Sequence, residues 1–339
     1  MLSKLFELLY HKVFVNIVVG RAQTSVYIQE CANKGSIVSE SQTFDTTTIN
    51  SKMHEFIDSF TSESPFFYIS ILDTSEDQGA LPTCVSRDMS KFCDLESSKY
   101  MCYKNSWAYY TSKPDLNELE KNYQEVGVDF IFSPFVLLAN FFKDKINSSL
   151  AIFLLVENNY LSVAVFNNSE LLYAQHINME HTDEHEQLVM EEDRNEAEID
   201  LELDTAINLE EIDALDDVEG VDDFGDIEDL DSFDDIDEFA EEEEQEEEIQ
   251  EEVITSIEED AAGFNEDYQR YSLIQSAINR FYKDERYKSE FVQDIYIADG
   301  VGVSGDLKRY LEEEMFLNVF VRHLDLCSEI SELAKAELK

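Results

Sequence analysis

The 339-residue chain carries 76 Asp and Glu against 24 Lys and Arg, a formal net charge of −52. That balance argues against nucleic-acid binding by the folded surface, because phosphate contacts need clustered Lys and Arg; a basic protein partner fits it better. The longest uninterrupted apolar run, Leu150 to Val156, is far short of the ~20 residues of a membrane-spanning helix, so no membrane insertion is expected.

Met1 to Leu9 is mildly apolar, is followed by His11 and Lys12, and reads as a short helix and not as a signal peptide. A cytoplasmic location is expected. Val13 to Val19 is a β-branched apolar run ending at Gly20, Thr24 to Glu30 forms a hairpin with it, and Ile37 to Phe44 continues the sheet. Ile49, Met53, Phe56, Ile57 and Phe60 then recur at helical spacing, with Thr46 to Thr48 as predicted N-cap. Phe66 to Leu72 is a further buried strand. Asp73 to Lys104 carries no clear period and receives no element; within it Gln78 to Pro82 reads as a turn. Trp107, Tyr109 and Tyr110 read as core aromatics of a strand in preference to an exposed grip for a peptide.

Asp115 to Gln124 is a predicted helix and Asp129 to Phe132 a short strand. Ser133 and Pro134 start a helix whose Val136, Leu137, Phe141 and Phe142 face a core. Leu150 to Val156, Leu161 to Phe166 and Leu171 to Ile177 are three strands on short loops, an antiparallel meander. Further along, Tyr268 to Tyr282 has a helical stripe, Phe291 to Ala298 reads as a buried strand, and Asp299 to Gly305 as a glycine loop. A helix from Asp306 to Met315, a strand from Leu317 to Val321 and an amphipathic helix complete the chain.

Between these flanks lies a polyanion. From Glu180 to Asp260, 40 of 81 residues are acidic and Arg194 is the only Lys or Arg. Leu209, Ile212, Leu215 and their successors to Phe239 recur every third residue. A period of three gives neither a helical stripe nor one face of a strand, and so little apolar area cannot offset the entropy of ordering. The expected organisation is residues 1–179 as the first lobe and the start of the second, 180–262 as an acidic disordered insert, and 263–339 as the rest of the second lobe. The insert is read as an anionic arm for a basic partner.

The order of these elements resembles the actin-like nucleotide-binding fold, an α/β fold of two lobes with ribonuclease-H-like subdomains. More narrowly it resembles the PilM and GspL assembly proteins of type IV pilus and type II secretion systems. The resemblance is carried by Val15-Asn16-Ile17-Val18-Val19-Gly20, Leu171-Leu172-Tyr173-Ala174-Gln175-His176-Ile177, Ile274-Gln275-Ser276-Ala277-Ile278-Asn279-Arg280-Phe281-Tyr282 and Ile295-Tyr296-Ile297-Ala298-Asp299-Gly300-Val301-Gly302, with Leu307, Tyr310 and Leu311 behind. It implies a phosphate cradle of two hairpins, each introduced by a metal-holding Asp, and a glycine-rich adenosine loop. Here Val18 stands where the first Asp would be, and Phe153 to Val156 lacks the second, with Glu157, Asn158 and Asn159 in place of glycine. Gly20, Gly300, Gly302 and Ser304 are the remnants of a vestigial nucleotide site, although the two glycines after the strand read in preference as a tight strand-to-helix turn.

Without the metal-holding carboxylates hydrolysis is not expected and no cofactor is assigned, residual ATP binding being the alternative. The resemblance implies a non-catalytic cytoplasmic scaffold beneath a pilus, secretion or DNA-uptake (competence) machine. Its partners would be an inner-membrane protein of the PilN type with a short cytoplasmic tail and a nearby assembly ATPase, so that it is peripheral to the inner membrane through a partner. The alternative is an ATP-binding enzyme of the same fold, such as a sugar kinase or an Hsp70-type ATPase. No Gly-x-Ser-x-Gly nucleophile turn occurs. His181 and His185 have a spacing that can hold zinc but open the polyanion and read as solvated. Cys31, Cys84, Cys93, Cys102 and Cys327 lack C-x-x-C spacing and are expected to be free thiols.

Overall fold

The computed structural model describes residues 10–32, 35–147, 150–179 and 266–338. The helix predicted for Met1 to Leu9, the acidic insert and the His181–His185 pair lie outside the described residues.

The apolar runs form the strands their patterns predict. In the first lobe β1 (Lys12–Val19), β2 (Thr24–Ala32) and β3 (Gly35–Phe44) are an antiparallel meander, and β4 (Phe67–Leu72) and β8 (Phe130–Phe132) add in parallel, giving the order β3-β2-β1-β4-β8. The second lobe repeats it. There β9 (Ala151–Val156), β10 (Tyr160–Asn167) and β11 (Glu170–Asn178) form the meander, and β12 (Asp294–Asp299) and β13 (Asn318–His323) extend it in parallel, in the order β11-β10-β9-β12-β13. Two sheets of three antiparallel strands followed by two parallel ones are the two ribonuclease-H-like subdomains of an actin-like fold. Because β12 comes from beyond the insert and pairs with β9 from before it, both flanks build one sheet.

Parallel strands need crossovers, and helices supply them. α1 (Ser51–Thr61) buries Met53 and Ile57 against β1 and β2; its N-cap is Asn50, whose side chain accepts from the Met53 amide at 2.9 Å, and not the threonines expected from sequence. After the short α2 (Ser86–Met89) comes α3 (Lys113–Asn122), capped by Ser112 with proline in its first turn. α4 (Pro134–Phe141) starts on the Ser133 cap as predicted, and α5 (Lys143–Ile146) follows it. α6, residues 266–283, buries Tyr271, Ile274, Ile278 and Phe281. α7 (Gly305–Glu313) precedes β13, and α8 (Leu326–Glu337) returns to pack on β1 and β4 of the first lobe.

Two readings need correction. Gln78 to Leu81, read as a turn, is the strand β5 (Gln78–Leu81), buried at all four positions. It pairs with β7 (Trp107–Ser112), which also pairs with β6 (Ser98–Tyr103), so part of the stretch left without elements belongs to a third sheet. Trp107 is core, with its ring 5.9 Å from Phe166 in an edge contact. Phe291, read as buried, is 77% exposed, because β12 begins three residues later.

One core cluster joins the lobes: Phe14 and Leu72 of the first, Trp107 of the third sheet, Phe153 and Phe166 of the second, and Ile330 of α8. Each side chain fully buried there contributes about 1.5–3 kcal/mol. Polar contacts reinforce the junction. Ser331 Oγ donates to Gln29 Oε1 at 2.8 Å, and Asn178 Nδ2 donates to Glu76 Oε1 at 2.5 Å.

Candidate functional site

The register of β9 against β12 decides what stands at the second-lobe hairpin. Asp299 is paired with Val156, and the Gly300 amide donates to the Val156 carbonyl at 3.1 Å. Glu157, the next residue after Val156, closes its own hairpin by donating its amide to the Tyr160 carbonyl at 3.1 Å. Its carboxyl group is thereby laid over Gly300. A Cβ at position 300 would come within 1.9 Å of Glu157 Oε1 and 3.2 Å of the Val156 carbonyl oxygen, so a side chain there would have to push the buried Glu157 carboxyl group aside. Glu157 is only 8% exposed, and its Oε1 has no hydrogen-bond partner. Burial first, and the neighbouring Asp299 carboxylate second, push its pKa up to about 8. Burial thus favours its neutral form.

The loop after β12 is built as an anion nest and fills itself. Gly302 sits at φ +81°, the left-handed conformation that folds the loop so that successive amides converge. Asp299 Oδ1 accepts from Val301 N at 3.1 Å, Gly302 N at 2.7 Å and Val303 N at 3.0 Å. Three amides that would otherwise face a bound anion already hold a carboxylate of the chain.

The same holds one turn later. Ser304 caps α7 by accepting from the Asp306 amide at 3.1 Å, and its hydroxyl donates to Asp267 Oδ2. Asp267 Oδ2 also accepts from Leu307 N at 3.3 Å, and its Oδ1 pairs with Arg270 Nη1 at 2.8 Å; the two side chains are 1% and 6% exposed. The positive end of the α7 dipole is thus satisfied by an aspartate from α6.

The first-lobe hairpin is different. The Gly20 amide donates to Gln23 O at 2.8 Å to close the turn, and Val18, paired with Ser25, brings no carboxylate to it. Asn16, fully buried on β1, donates to the Tyr27 carbonyl at 3.2 Å. Of the four residues singled out from sequence, Gly300, Gly302 and Ser304 fall in one loop of the second lobe and Gly20 in the other lobe. The occupants of that loop's cradles, Asp299, Glu157 and Asp267, went unrecognised; an Asp directly before Gly-x-Gly, with free amides to follow, is the signal that marks the first.

A serine–histidine pair lies nearby. Ser162 Oγ is 2.9 Å from His176 Nδ1, with the Tyr160 ring 5.1 Å from the imidazole. Burial pushes His176 down to about 4, and Ser162 is 0% exposed. A neutral imidazole holding a sealed hydroxyl ties β10 to β11 and offers no substrate a nucleophile.

The first lobe also has a cavity of about 330 Å³, floored by Val19, Ile71 and Tyr123 and walled by Glu76, Asp77, Asp115 and Glu118, with no Lys or Arg in its lining. Asp115 is placed there by the Ser112 cap of α3, and its Oδ2 accepts from the Asp77 amide at 3.4 Å. Among the described residues no Lys or Arg pairs with Asp77, Asp115 or Glu118. No helix among the described residues is long and apolar enough to cross a membrane.

The chain is similar to a Bacteroides thetaiotaomicron protein with actin-like ATPase fold and unknown function, at 12% identity over 97% of this chain and 96% of that one, TM-score 0.45. It is similar to the PilM-PilN type IV pilus biogenesis complex, at 8% identity over 94% of each chain, TM-score 0.48. A third similar structure is the ethanolamine utilization protein EutJ from Carboxydothermus hydrogenoformans, at 7% identity over 94% of this chain and 88% of that one, TM-score 0.37. No curated protein matches. Residues 10–139 match DUF8569, a domain of unknown function. Residues 152–339, more than half of the chain and all of the second-lobe sheet but the first residue of β9, match the domain of unknown function DUF8341, and the chain belongs to that family.

Proposed function

We propose that this chain is a non-catalytic scaffold of actin-like fold, in which the nucleotide cradle is closed by the protein's own carboxylates and the first lobe docks a basic segment of a partner. The observation that carries the first half is the Asp299 carboxylate seated on the amides of Val301, Gly302 and Val303, with Glu157 packed over Gly300. A nucleotide entering there would have to displace the Asp299 carboxylate from those amides and push the Glu157 side chain aside.

The second half is supported by the acidic cavity. Cytoplasmic segments close to a membrane span carry an excess of Lys and Arg, and a lysine or arginine stem would lie on Val19 and Ile71 with its head among Asp77, Asp115 and Glu118. The partner is accordingly the short cytoplasmic tail of an inner-membrane protein. The finer reading, a component of a type IV pilus, type II secretion or DNA-uptake machine held to the inner membrane through that partner, rests on the sequence resemblance to PilM and GspL.

The test uses the full chain as bait on detergent-solubilised inner membranes, beside the Asp115→Asn/Glu118→Gln double variant. Selective retention of a membrane protein with a short basic cytoplasmic tail, reduced about tenfold by the double variant and by raised salt, is expected. Equal retention by both baits would dismiss the cavity as the dock, and ATP turnover by the purified chain would overturn the scaffold reading itself.

A further inference from the structure

At the opposite end of β1 from the cavity residue Val19, the sheet carries a carboxylate where its pattern calls for a hydrocarbon. Along β2 the inward positions are Thr24, Val26, Ile28 and then Glu30, all on the face covered by α1. Alternation leaves no freedom here: Glu30 must point where Val26 and Ile28 point. It is 9% exposed, and no hydrogen bond to its carboxylate exists among the described residues. A carboxylate set into an apolar face is stabilised by a cation beside it.

Two further donors converge on it. His11 precedes β1, where Val13 is paired with Glu30, and its Nε2 stands 3.7 Å from Glu30 Oε2, too far for a hydrogen bond. That Nε2 is buried and has no hydrogen-bond partner. Glu63, exposed, follows α1, and the turn carrying it is tied to the strand by Ser64, whose hydroxyl donates to the His11 carbonyl at 2.6 Å. One donor atom from each of His11, Glu30 and Glu63 lies within 4.8 Å of the others.

We propose that His11, Glu30 and Glu63 form a binding site for a divalent first-row cation of the Zn²⁺ class. One imidazole nitrogen and two carboxylate oxygens suit that borderline ion, and Glu63 at the surface leaves a fourth position to water. Tetrahedral ligands at about 2.0–2.1 Å stand about 3.4 Å apart, so the side chains have only to draw in by about 1 Å. The cation neutralises Glu30 and staples the start of β1, β2 and the exit of α1. Its role is structural, and it is independent of the cradle and of the acidic cavity.

The test is the unfolding midpoint of the full chain titrated with Zn²⁺, with Mg²⁺ in parallel because the many carboxylates of the polyanion bind either ion diffusely. Zn²⁺ at a hundredfold excess over its dissociation constant is expected to raise the midpoint by roughly 5–10 °C, and Mg²⁺ to leave it unchanged. His11→Gln, half-buried, and Glu63→Gln, exposed, are expected to keep the metal-free midpoint and lose the shift, with Zn²⁺ affinity at the folded site falling at least tenfold. Co²⁺ is expected to give tetrahedral visible absorption in the natural chain and not in His11→Gln. An equal Zn²⁺ shift in the variants, an equal shift with Mg²⁺, or no shift at all would overturn the site.

Discussion

The two lobes share one strand order and part company in what surrounds it. In the first lobe β2 alternates buried and half-buried positions and β3 lies at the edge, whereas β9 is buried at all six positions and β10 at seven of eight. The hairpins diverge in parallel. Gly20 closes a turn that no carboxylate enters, while the second-lobe hairpin lays Glu157 onto Gly300 and the adjoining loop wraps Asp299. A repeated topology thus fixes where a ligand cradle can stand and leaves its chemistry to a few side chains, here used to close one half of it from within.

Several substitutions would break that contrast. The largest effect is expected from Asp267→Ala, which strips the α7 N-terminus of its acceptor and leaves Arg270 with only Glu266 in a buried setting. Chemical denaturation should show a loss of about 3–5 kcal/mol. Next, Gly300→Ala drives a methyl group into Glu157 and should cost about 3 kcal/mol, while Gly20→Ala, whose Cβ meets only Gln23 O at 3.2 Å, should cost under about 1 kcal/mol. Equal costs at the two glycines would remove the asymmetry between the hairpins. Combining Gly300→Ala with Glu157→Ala should recover much of the loss, because the pair is in contact.

The smallest effect is a slope. Glu157 has a folded pKa of about 8 against an ordinary 4.5. The folded state therefore binds the proton more tightly than the unfolded chain. Its contribution is whole below about pH 4.5 and is lost as pH rises toward 8. His176, pushed down to about 4 by burial, acts in the opposite sense, costing stability as pH falls below its ordinary 6.5. Glu157→Gln, a neutral isostere, should flatten the decline between pH 6.5 and 8 by about 1–2 kcal/mol. A variant with the same decline as the natural chain would mean that Glu157 is ionised in the fold.

The comparison also explains how much of the molecule was legible. Strands covered on both faces read as apolar runs, unbroken over Ala151 to Val156 and interrupted only by Ser162 over Leu161 to Phe166, and the spacing of Met53 and Ile57 gives α1 directly. The third sheet was opaque. Gln78-Gly79-Ala80-Leu81 has the composition of a turn and becomes a buried strand only because β7 and the second lobe cover it; tertiary contact overrode local preference. At the cradle, the missing hairpin aspartates were visible as absences. What the glycines and Ser304 serve was hidden, because their partners come from Glu157 and Asp267, more than a hundred and some forty residues away in sequence. Such pairings depend on the register of β9 with β12, which no local pattern encodes.

The central claim, that the second-lobe half of this chain's nucleotide cradle is occupied by its own carboxyl groups, is tested most directly by titrating the full chain with Mg²⁺·ATP in a calorimeter. The account predicts no saturable heat at millimolar nucleotide and no change in the unfolding midpoint. Stoichiometric binding at micromolar concentration, with a matching rise in the midpoint, would contradict it.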